Sequence, residues 1–200
     1  SEDVVAALEA IKKLGIQVLV RKKYCEIHGK GINNFKYKNG LIINAKNSGT
    51  LGRLILGLLI KSPKKIKMIG DKSLSKRDFS RVTIPLEKFG ATFYYKVKNK
   101  LPLSILGSQS SRGINFIENK GSAQCKSSVM LAALNSSGTT FIKAKKSRNH
   151  SELLFKYLKI PIKIKKTKKY DFINIKKPKK INAFNYQIPG DISSSAFFMV

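Results

Sequence analysis

The sequence is poor in the residues that build metal sites and disulfide frameworks. Its 200 residues include two cysteines, two histidines and no tryptophan. Cys25 and Cys125 form no CxxC motif, and His28 and His150 are too isolated to complete a metal site. We therefore expect neither a metal nor a disulfide, and we predict that both thiols are buried in a protein of the reducing cytoplasm.

Long apolar runs are also missing. The longest, at Leu54–Ile60, is far shorter than the roughly 20 residues that cross a bilayer as a helix. We expect neither a membrane span nor a secretory leader. With 42% hydrophobic and 26% charged residues, the composition is that of one globular domain or one lobe of a larger protein.

Acidic residues are scarce. The chain has 11 of them against 40 lysines and arginines, which gives a formal net charge of +29. This balance and the lysine-rich run at 163–180 favour a nucleic-acid-binding module. However, only six of the 40 cations are arginine, aromatic residues in the run are sparse, and no DNA- or RNA-binding motif accompanies it. The alternative is a solvated pair of strands.

One pattern occurs three times: a polar opening, an amphipathic helix, a short break and a strand. The copies begin at Ser1, Lys76 and Ser147. Apolar residues recur at helical spacing in each and predict its buried face. These positions are Val4, Val5, Leu8, Ile11 and Leu14 in the first copy, Phe79, Val82, Leu86 and Phe89 in the second, and Leu153, Leu154, Tyr157 and Leu158 in the third.

A second helix–strand pair lies between these copies. Residues 47–50 open an apolar helix that ends at Leu59, and residues 121–124 open another that ends at Leu134. Both helices are apolar nearly all round, so we expect them in the interior. The whole predicts an α/β (α+β) fold of repeated βαβαββ units packed around interior helices, with a third such helix starting at Ser193.

The openings of the two interior helices carry the chemical information. Small polar residues there are good N-caps, which explains each opening by itself. Two such openings side by side would also attract an anion, because helix N-termini carry free N–H groups and partial positive charge. Gly49 would allow close backbone approach, and Ser122 and Gln124 would supply hydrogen-bond donors.

Arg77 and Arg148 stand at corresponding places, each before an outer amphipathic helix. A scarce arginine at the same place in two repeats favours bidentate binding of phosphate or carboxylate. The alternative is that each caps a helix or pairs with the nearby Asp78 or Glu152. Arg53, one turn into the first interior helix, is predicted to serve structure.

Five segments carry a family resemblance: NAKNSGTLGRLILGLL, GDKSLSKRDFSRVTIPLEKFGA, GSAQCKSSVMLAAL, SRNHSE and PGDISSSAFFMV. In this order they resemble NSGTTMRLLLGLL, GDxSLxxRPMxRVxxPLxxMGA, SAQVKSAxLLAGL, SRDHTE and PGDISSAAFFLV of the 3-phosphoshikimate 1-carboxyvinyltransferase (5-enolpyruvylshikimate-3-phosphate synthase) family. The resemblance implies one lobe of the two-lobed enolpyruvyl transferase fold, each lobe being built of three βαβαββ units.

The resemblance also implies an activity and two groups of binding residues. The reaction transfers the enolpyruvyl group of phosphoenolpyruvate to the 5-hydroxyl of shikimate 3-phosphate, with no metal or organic cofactor. Positions that bind shikimate 3-phosphate match Ser122, Ala123, Gln124 and Arg148. Positions around phosphoenolpyruvate match Asn47, Gly49, Arg77 and Gln124.

The chain departs from the family pattern in several places. Lys46 replaces a glycine, Leu51-Gly52 replaces Thr-Met, and Asp78 replaces the proline after Arg77. An aspartate there could pair with Arg77 and weaken anion binding.

The resemblance implies a partial chain. The family's lysine–serine–arginine motif would precede Ser1, and the second lobe would follow Val200. We expect residues 1–188 to form an incomplete N-terminal substrate-binding lobe and residues 189–200 the hinge and the start of the C-terminal lobe. The catalytic groups would lie outside this chain, which we expect to be inactive alone. The intact protein would be a cytoplasmic monomer without nucleic-acid or membrane partners.

Two alternative functions remain. The related UDP-N-acetylglucosamine enolpyruvyl transferase typically carries a reactive cysteine in a glycine-rich loop. Cys125 falls within a predicted helix and Cys25 within a strand-like segment, so neither fits that pattern. The other alternative is the basic nucleic-acid-binding module.

Overall fold

The computed structural model describes residues 2–32 and 34–189, which form two complete βαβαββ units preceded by a helix and a hairpin. The opening elements are α1 (Glu2–Lys13), β1 (Gln17–Val20) and β2 (Cys25–His28). The first unit contains β3 (Leu41–Asn44), α2 (Gly49–Leu58), β4 (Ile66–Ile69), a short α3 (Lys72–Lys76), α4 (Ser80–Lys88), β5 (Thr92–Tyr95) and β6 (Leu103–Leu106). The second contains β7 (Asn115–Glu118), α5 (Ala123–Ala133), β8 (Thr139–Lys145), α6 (His150–Tyr157), β9 (Ile162–Lys166) and β10 (Tyr170–Lys176).

The two units have the same sheet topology. The first sheet has the order β3-β4-β6-β5 and the second β7-β8-β10-β9. In each, the first two strands are parallel and the other pairs are antiparallel. The repeat predicted from the sequence is therefore confirmed, and β1–β2 is the same antiparallel hairpin that closes each unit.

The interior helices α2 and α5 pack against each other in parallel. Near their N-termini Gln124 bonds Thr50, and near their C-termini Asn135 bonds the Leu58 carbonyl. Between these contacts the backbone of α2 at Gly57 lies so close to Ser128 that any side chain there would overlap the Ser128 carbonyl. Glycine thus permits the close approach that brings both helix N-termini to one end.

The predicted helix ends agree with the structure. α1, α4 and α6 end at Lys13, Lys88 and Tyr157, each one residue before the last apolar position of the predicted helix, which is Leu14, Phe89 or Leu158. Each is followed by a residue with positive φ: Gly15 at +83°, Gly90 at +100° and Lys159 at +54°. This left-handed turn ends the helix and directs the chain into the next strand.

The buried faces of two outer helices differ from the prediction. In α1, Ala6, Ala10 and Leu14 are buried, whereas Val4 and Val5 are about half exposed. The small alanines let α1 approach β3 and α2 closely, which the larger valines would prevent. The face predicted for α4 is confirmed.

In α6 the buried residues are Glu152 and Phe155, while the predicted Leu153 and Tyr157 are largely exposed. Tyr157 instead meets the segment that follows β10, where its hydroxyl donates to the Asn185 carbonyl at 3.0 Å.

Three further sequence predictions have structural outcomes. Cys125 is buried as predicted, but Cys25 is exposed because the whole of β2 is exposed. The lysine-rich run forms the antiparallel strands β9 and β10, as the solvated-strand interpretation requires. No helix among the described residues is long and apolar enough to cross a membrane. The predicted helix at Ser193 lies outside the described residues.

Candidate anion-binding site at the paired helix N-termini

Both interior helices begin with a serine cap. Ser48 Oγ accepts a hydrogen bond from Leu51 N at 3.1 Å, and Ser122 Oγ accepts one from Cys125 N at 3.3 Å. Each cap satisfies one of the free N–H groups of the first turn. The remaining N–H groups and the positive ends of the two helix dipoles stay at the same end of the molecule.

Gln124 joins the two helix openings. Its amide nitrogen donates to Thr50 Oγ1 at 3.0 Å, and its carbonyl oxygen accepts from Arg53 Nη1 at 2.9 Å. Gln124 comes from α5 and the other two residues from α2. These two hydrogen bonds therefore hold the predicted openings of α2 and α5 next to each other, as a shared anion site requires.

Arginine side chains lie over the opening of α2. A Cβ built on Gly49 would lie 2.8 Å from Arg53 Nη1 and 3.1 Å from Arg77 Nη1. Burial lowers the pKa of the Arg53 guanidinium, and the charges of Arg77 and Arg81 lower it further. No carboxylate among the described residues forms an ion pair with these arginines. A bound anion would relieve their mutual repulsion.

Asp78 does not pair with Arg77. Its carboxylate accepts hydrogen bonds from Ser80 Oγ at 2.7 Å and Ser80 N at 2.8 Å, at the start of α4. These bonds lower the pKa of Asp78, the side-chain bond most. The Asp78 substitution therefore supports the helix start and leaves Arg77 available for a ligand. The Arg77 backbone N–H donates to the Leu74 carbonyl and ends α3.

Asn47 is oriented by a second aspartate. Its amide nitrogen donates to Asp71 Oδ2 at 2.5 Å, while Asp71 Oδ1 accepts from Leu74 N as the cap of α3. The Leu74 N–H bond and then the Asn47 bond lower the pKa of Asp71. The contact connects the loop before α2 to the start of α3, whose other end carries Arg77.

Arg148 lies just before α6 and is tied to α5 through its backbone. Its carbonyl accepts a hydrogen bond from Lys126 Nζ at 3.1 Å. Glu152 forms its ion pair with Lys126, at 2.6 Å, rather than with Arg148. Ser122 lies one helical turn before Lys126, whose backbone N–H donates to the Ser122 carbonyl. Arg148 and the Ser122–Gln124 opening are thus connected through one buried lysine.

The site is an open surface of the chain. Asn47, Arg77 and Arg148 are exposed, and Ser122, Ala123 and Gln124 are partly buried. A cavity of about 470 Å³ lies elsewhere, on the outer face of β9 and β10. Within the described residues no group of three or more His, Cys, Asp or Glu side chains could hold a metal.

Two features of the site were missed or underestimated in the sequence. Arg53 was assigned to structure, yet it bonds Gln124 and lies beside Arg77 while its guanidinium stacks 5.3 Å from the centre of the Phe79 ring. Its position four residues after Gly49 on a helix was the available signal. The Lys126–Glu152 pair was missed although both residues stand in matched motif segments, GSAQCKSSVMLAAL and SRNHSE, because only tertiary packing shows that the two side chains meet.

Comparisons with known proteins show the family of the chain. The family model described as EPSP synthase (3-phosphoshikimate 1-carboxyvinyltransferase) matches residues 1–200. The chain is 36% identical over 199 residues to the 3-phosphoshikimate 1-carboxyvinyltransferase of Bacillus subtilis and 39% identical over 200 residues to that of Ruthia magnifica. These alignments cover 98% and 100% of this chain and 45% of each relative, so the chain spans less than half of their length.

A solved structure of EPSP synthase from Acinetobacter baumannii superposes with a TM-score of 0.87 at 33% identity, covering all of this chain and 44% of that one. The resemblance carried by the five motifs, the repeated βαβαββ topology and the full-length family match therefore have one explanation: the chain belongs to the EPSP synthase family.

Proposed function

We propose that this chain supplies a substrate-binding lobe for enolpyruvyl transfer from phosphoenolpyruvate to the 5-hydroxyl of shikimate 3-phosphate. The observation that carries the proposal is the meeting of two helix N-termini beside arginines that have no carboxylate partner among the described residues. Both substrates carry a phosphate and a carboxylate. A site that combines oriented N–H groups with arginine offsets the repulsion between such anions.

The proposed binding roles follow from the positions of the side chains. The α5 opening and the turn before α6 would bind shikimate 3-phosphate, through Ser122, Ala123, Gln124 and Arg148. The α2 opening and the end of α3 would bind phosphoenolpyruvate, through Asn47, Gly49, Arg77 and Gln124. Gln124 belongs to both groups, and its bonds to Thr50 and Arg53 support a place between the two substrates.

Enolpyruvyl transfer needs a proton at the methylene carbon of phosphoenolpyruvate while the 5-hydroxyl attacks the neighbouring carbon and gives up its own proton. The tetrahedral intermediate then loses phosphate together with a proton of the new methyl group, which restores the carbon–carbon double bond. We assign no residue of this chain to proton transfer. Residues 1–188 would act as the binding lobe and residues 189–200 as the hinge to a second lobe that completes the site and excludes water. We further propose a cytoplasmic, monomeric enzyme and no turnover by these 200 residues alone.

Calorimetric titration of the chain with shikimate 3-phosphate at fixed salt tests the binding proposal. Arg148→Ala should weaken binding about tenfold or more, because a charge-assisted bidentate contact is lost. Arg21→Ala removes the same charge from an exposed loop outside the site and should change the affinity less than about twofold. Equal losses in both variants would mean that the ligand responds only to net charge, and the proposal would fail.

One alternative function is argued against by the position of a cysteine. Cys125 is 2% exposed inside α5, which does not fit the cysteine-loop chemistry of UDP-N-acetylglucosamine enolpyruvyl transferase.

The other alternative, a nucleic-acid-binding module, is tested by measuring the binding of single-stranded DNA at several salt concentrations. The lysine-rich run is a strand pair, and binding of single-stranded DNA through it would be sequence-blind and steeply salt-dependent. Tight, salt-resistant DNA binding would instead favour the nucleic-acid-binding module.

A further inference from the structure

A complete ion pair is buried between the two helices of the second unit. The side chain of Lys126 on α5 is 0% exposed, that of Glu152 on α6 is 4% exposed, and Nζ lies 2.6 Å from Oε1. Apart from this lysine, the Glu152 carboxylate has no hydrogen-bond donor among the described residues. Burying two charges without a surrounding network contributes little to stability compared with apolar side chains of the same size. The ion pair therefore needs an explanation other than its contribution to stability.

The lysine makes a second contact that the ion pair orients. Lys126 Nζ also donates to the Arg148 carbonyl at 3.1 Å. Ser127 Oγ and Ser151 Oγ, 2.6 Å apart, form a second tie between the same two helices. Both ties run from the first turns of α5 to the start of α6.

The start of α6 has no side-chain cap of its own. Its N-cap Asn149 makes no capping hydrogen bond, in contrast to Ser48 and Ser122 at the interior helices. Without a local cap, the backbone at Arg148 depends on contacts from α5 for its position. Lys126 supplies such a contact one turn from Ser122.

We propose that Lys126 and Glu152 are positioning residues that hold Arg148 at a fixed place relative to the Ser122–Gln124 opening. Glu152 pairs with the buried ammonium and orients it, and the ammonium holds the Arg148 carbonyl. The guanidinium and the α5 N–H groups can then bind one phosphate together. This inference rests on the proposed function, because it takes shikimate 3-phosphate as the ligand.

The decisive variant is Lys126→Met/Glu152→Met. It removes both buried charges and the donor to Arg148 while keeping the side chains close to their original volume, so the fold should persist. We expect a urea midpoint near that of the wild type and shikimate 3-phosphate affinity about tenfold weaker. Lys165→Met, an exposed lysine on β9, is the matched control and should leave both values unchanged.

A mutant cycle separates positioning from general stability. Arg148→Ala should cost about tenfold in affinity in the wild type but less than about threefold in the double variant, because Arg148 is already displaced there. Equal costs in both backgrounds would overturn the proposal. So would wild-type affinity in a double variant that remains folded.

Backbone relaxation of the ligand-free chain gives a readout that needs no substrate. In the wild type the Arg148 and Asn149 amides should have order parameters near the rigid value of about 0.85, and in the double variant they should fall clearly below it. Unchanged order would overturn the positioning role. If the wild-type chain binds no shikimate 3-phosphate, the proposed function fails, and these order parameters still decide whether the pair positions Arg148.

Discussion

The two βαβαββ units share one topology but differ at one equivalent position of their interior helices, which is charged in one unit and apolar in the other. Four residues after the serine cap of α5 stands Lys126, which meets Glu152 of the outer helix. Four residues after the serine cap of α2 stands Gly52, and the ring of Phe79 lies 3.5 Å from where its Cβ would be. One unit uses an ion pair between its helices, and the other uses a glycine against an aromatic ring.

The difference shows how a repeated scaffold can hold different arginines. In the first unit Arg53 stacks over Phe79 and bonds Gln124, so an aromatic surface supports it. In the second unit the support acts on the backbone of Arg148 through Lys126. The two sheets have equivalent topology, and the units differ in the contacts between their interior and outer helices.

Breaking the ion pair on one side only should give the largest loss of stability. Lys126→Met leaves the Glu152 carboxylate buried without a cation, which costs about 3–5 kcal/mol in such pairs. Urea unfolding followed by circular dichroism measures the loss. Adding Glu152→Met should recover most of it, and a single variant as stable as the wild type would contradict the assignment of a buried charged pair.

A side chain placed in the close contact between α2 and α5 should cause the next largest loss of stability. In Gly57→Ala the new methyl group would overlap the Ser128 carbonyl, a backbone atom that cannot move without shifting α5. We expect a loss of about 1–3 kcal/mol in the free energy of unfolding.

Gly52→Ala is the matched control in the same helix. Its methyl group would meet only ordinary contacts with Phe79, so the higher helix propensity of alanine should stabilise the protein by about 0.5–1 kcal/mol. Opposite signs for the two variants are required, and equal effects would contradict the close approach of α2 and α5.

Substituting the residue that follows the outer helix in each unit should change the stability by a smaller amount. Lys159 has φ of +54° where the first unit has Gly90 at +100°. Lys159→Gly removes the steric cost of the left-handed conformation and should stabilise the chain by about 1 kcal/mol or less. Gly90→Ala should destabilise it, and thermal unfolding of both variants checks the two signs.

Acid should affect the first unit weakly through Asp78. Its depressed pKa means that its hydrogen bonds to Ser80 contribute fully above the unfolded value of about 3.9 and are lost as pH falls through the folded pKa. The group is exposed, so the effect should stay below about 1 kcal/mol. The difference in urea midpoint between wild type and Asp78→Asn should be present at pH 7 and disappear near pH 2.

The sequence was sufficient for the repeat and for the ends of the helices. Period, caps and glycines are local signals, and they placed the openings at Ser48 and Ser122 correctly. The faces of α1 and α6 were predicted only in part: Leu14 is buried as predicted, but Val4 and Val5 in α1 and Leu153 and Tyr157 in α6 are exposed. In α1 the pattern of large apolar residues could not show that Ala6 and Ala10 pack more closely. Cys25 was predicted to be buried because free thiols usually are, but its hairpin is exposed.

The site was partly predictable for the same reason. Small polar residues at helix starts are visible in the sequence, whereas the contact between Gln124 and Arg53 joins positions 71 residues apart. The role of Lys126 was hidden in a chain with so many lysines. Its burial against Glu152 distinguishes it from the lysines that remain in solvent.

The position of β9 at the edge of its sheet gives the lysine-rich run a use that needs no ligand. Among the described residues β9 pairs with β10 alone, so within residues 2–32 and 34–189 its other side has no partner strand and could accept a strand of another molecule. Lys163 and Lys165 alternate along this edge and are exposed. An approaching copy would bring its own lysines against them. Repulsion between these lysines would oppose edge-to-edge pairing of two copies of the chain.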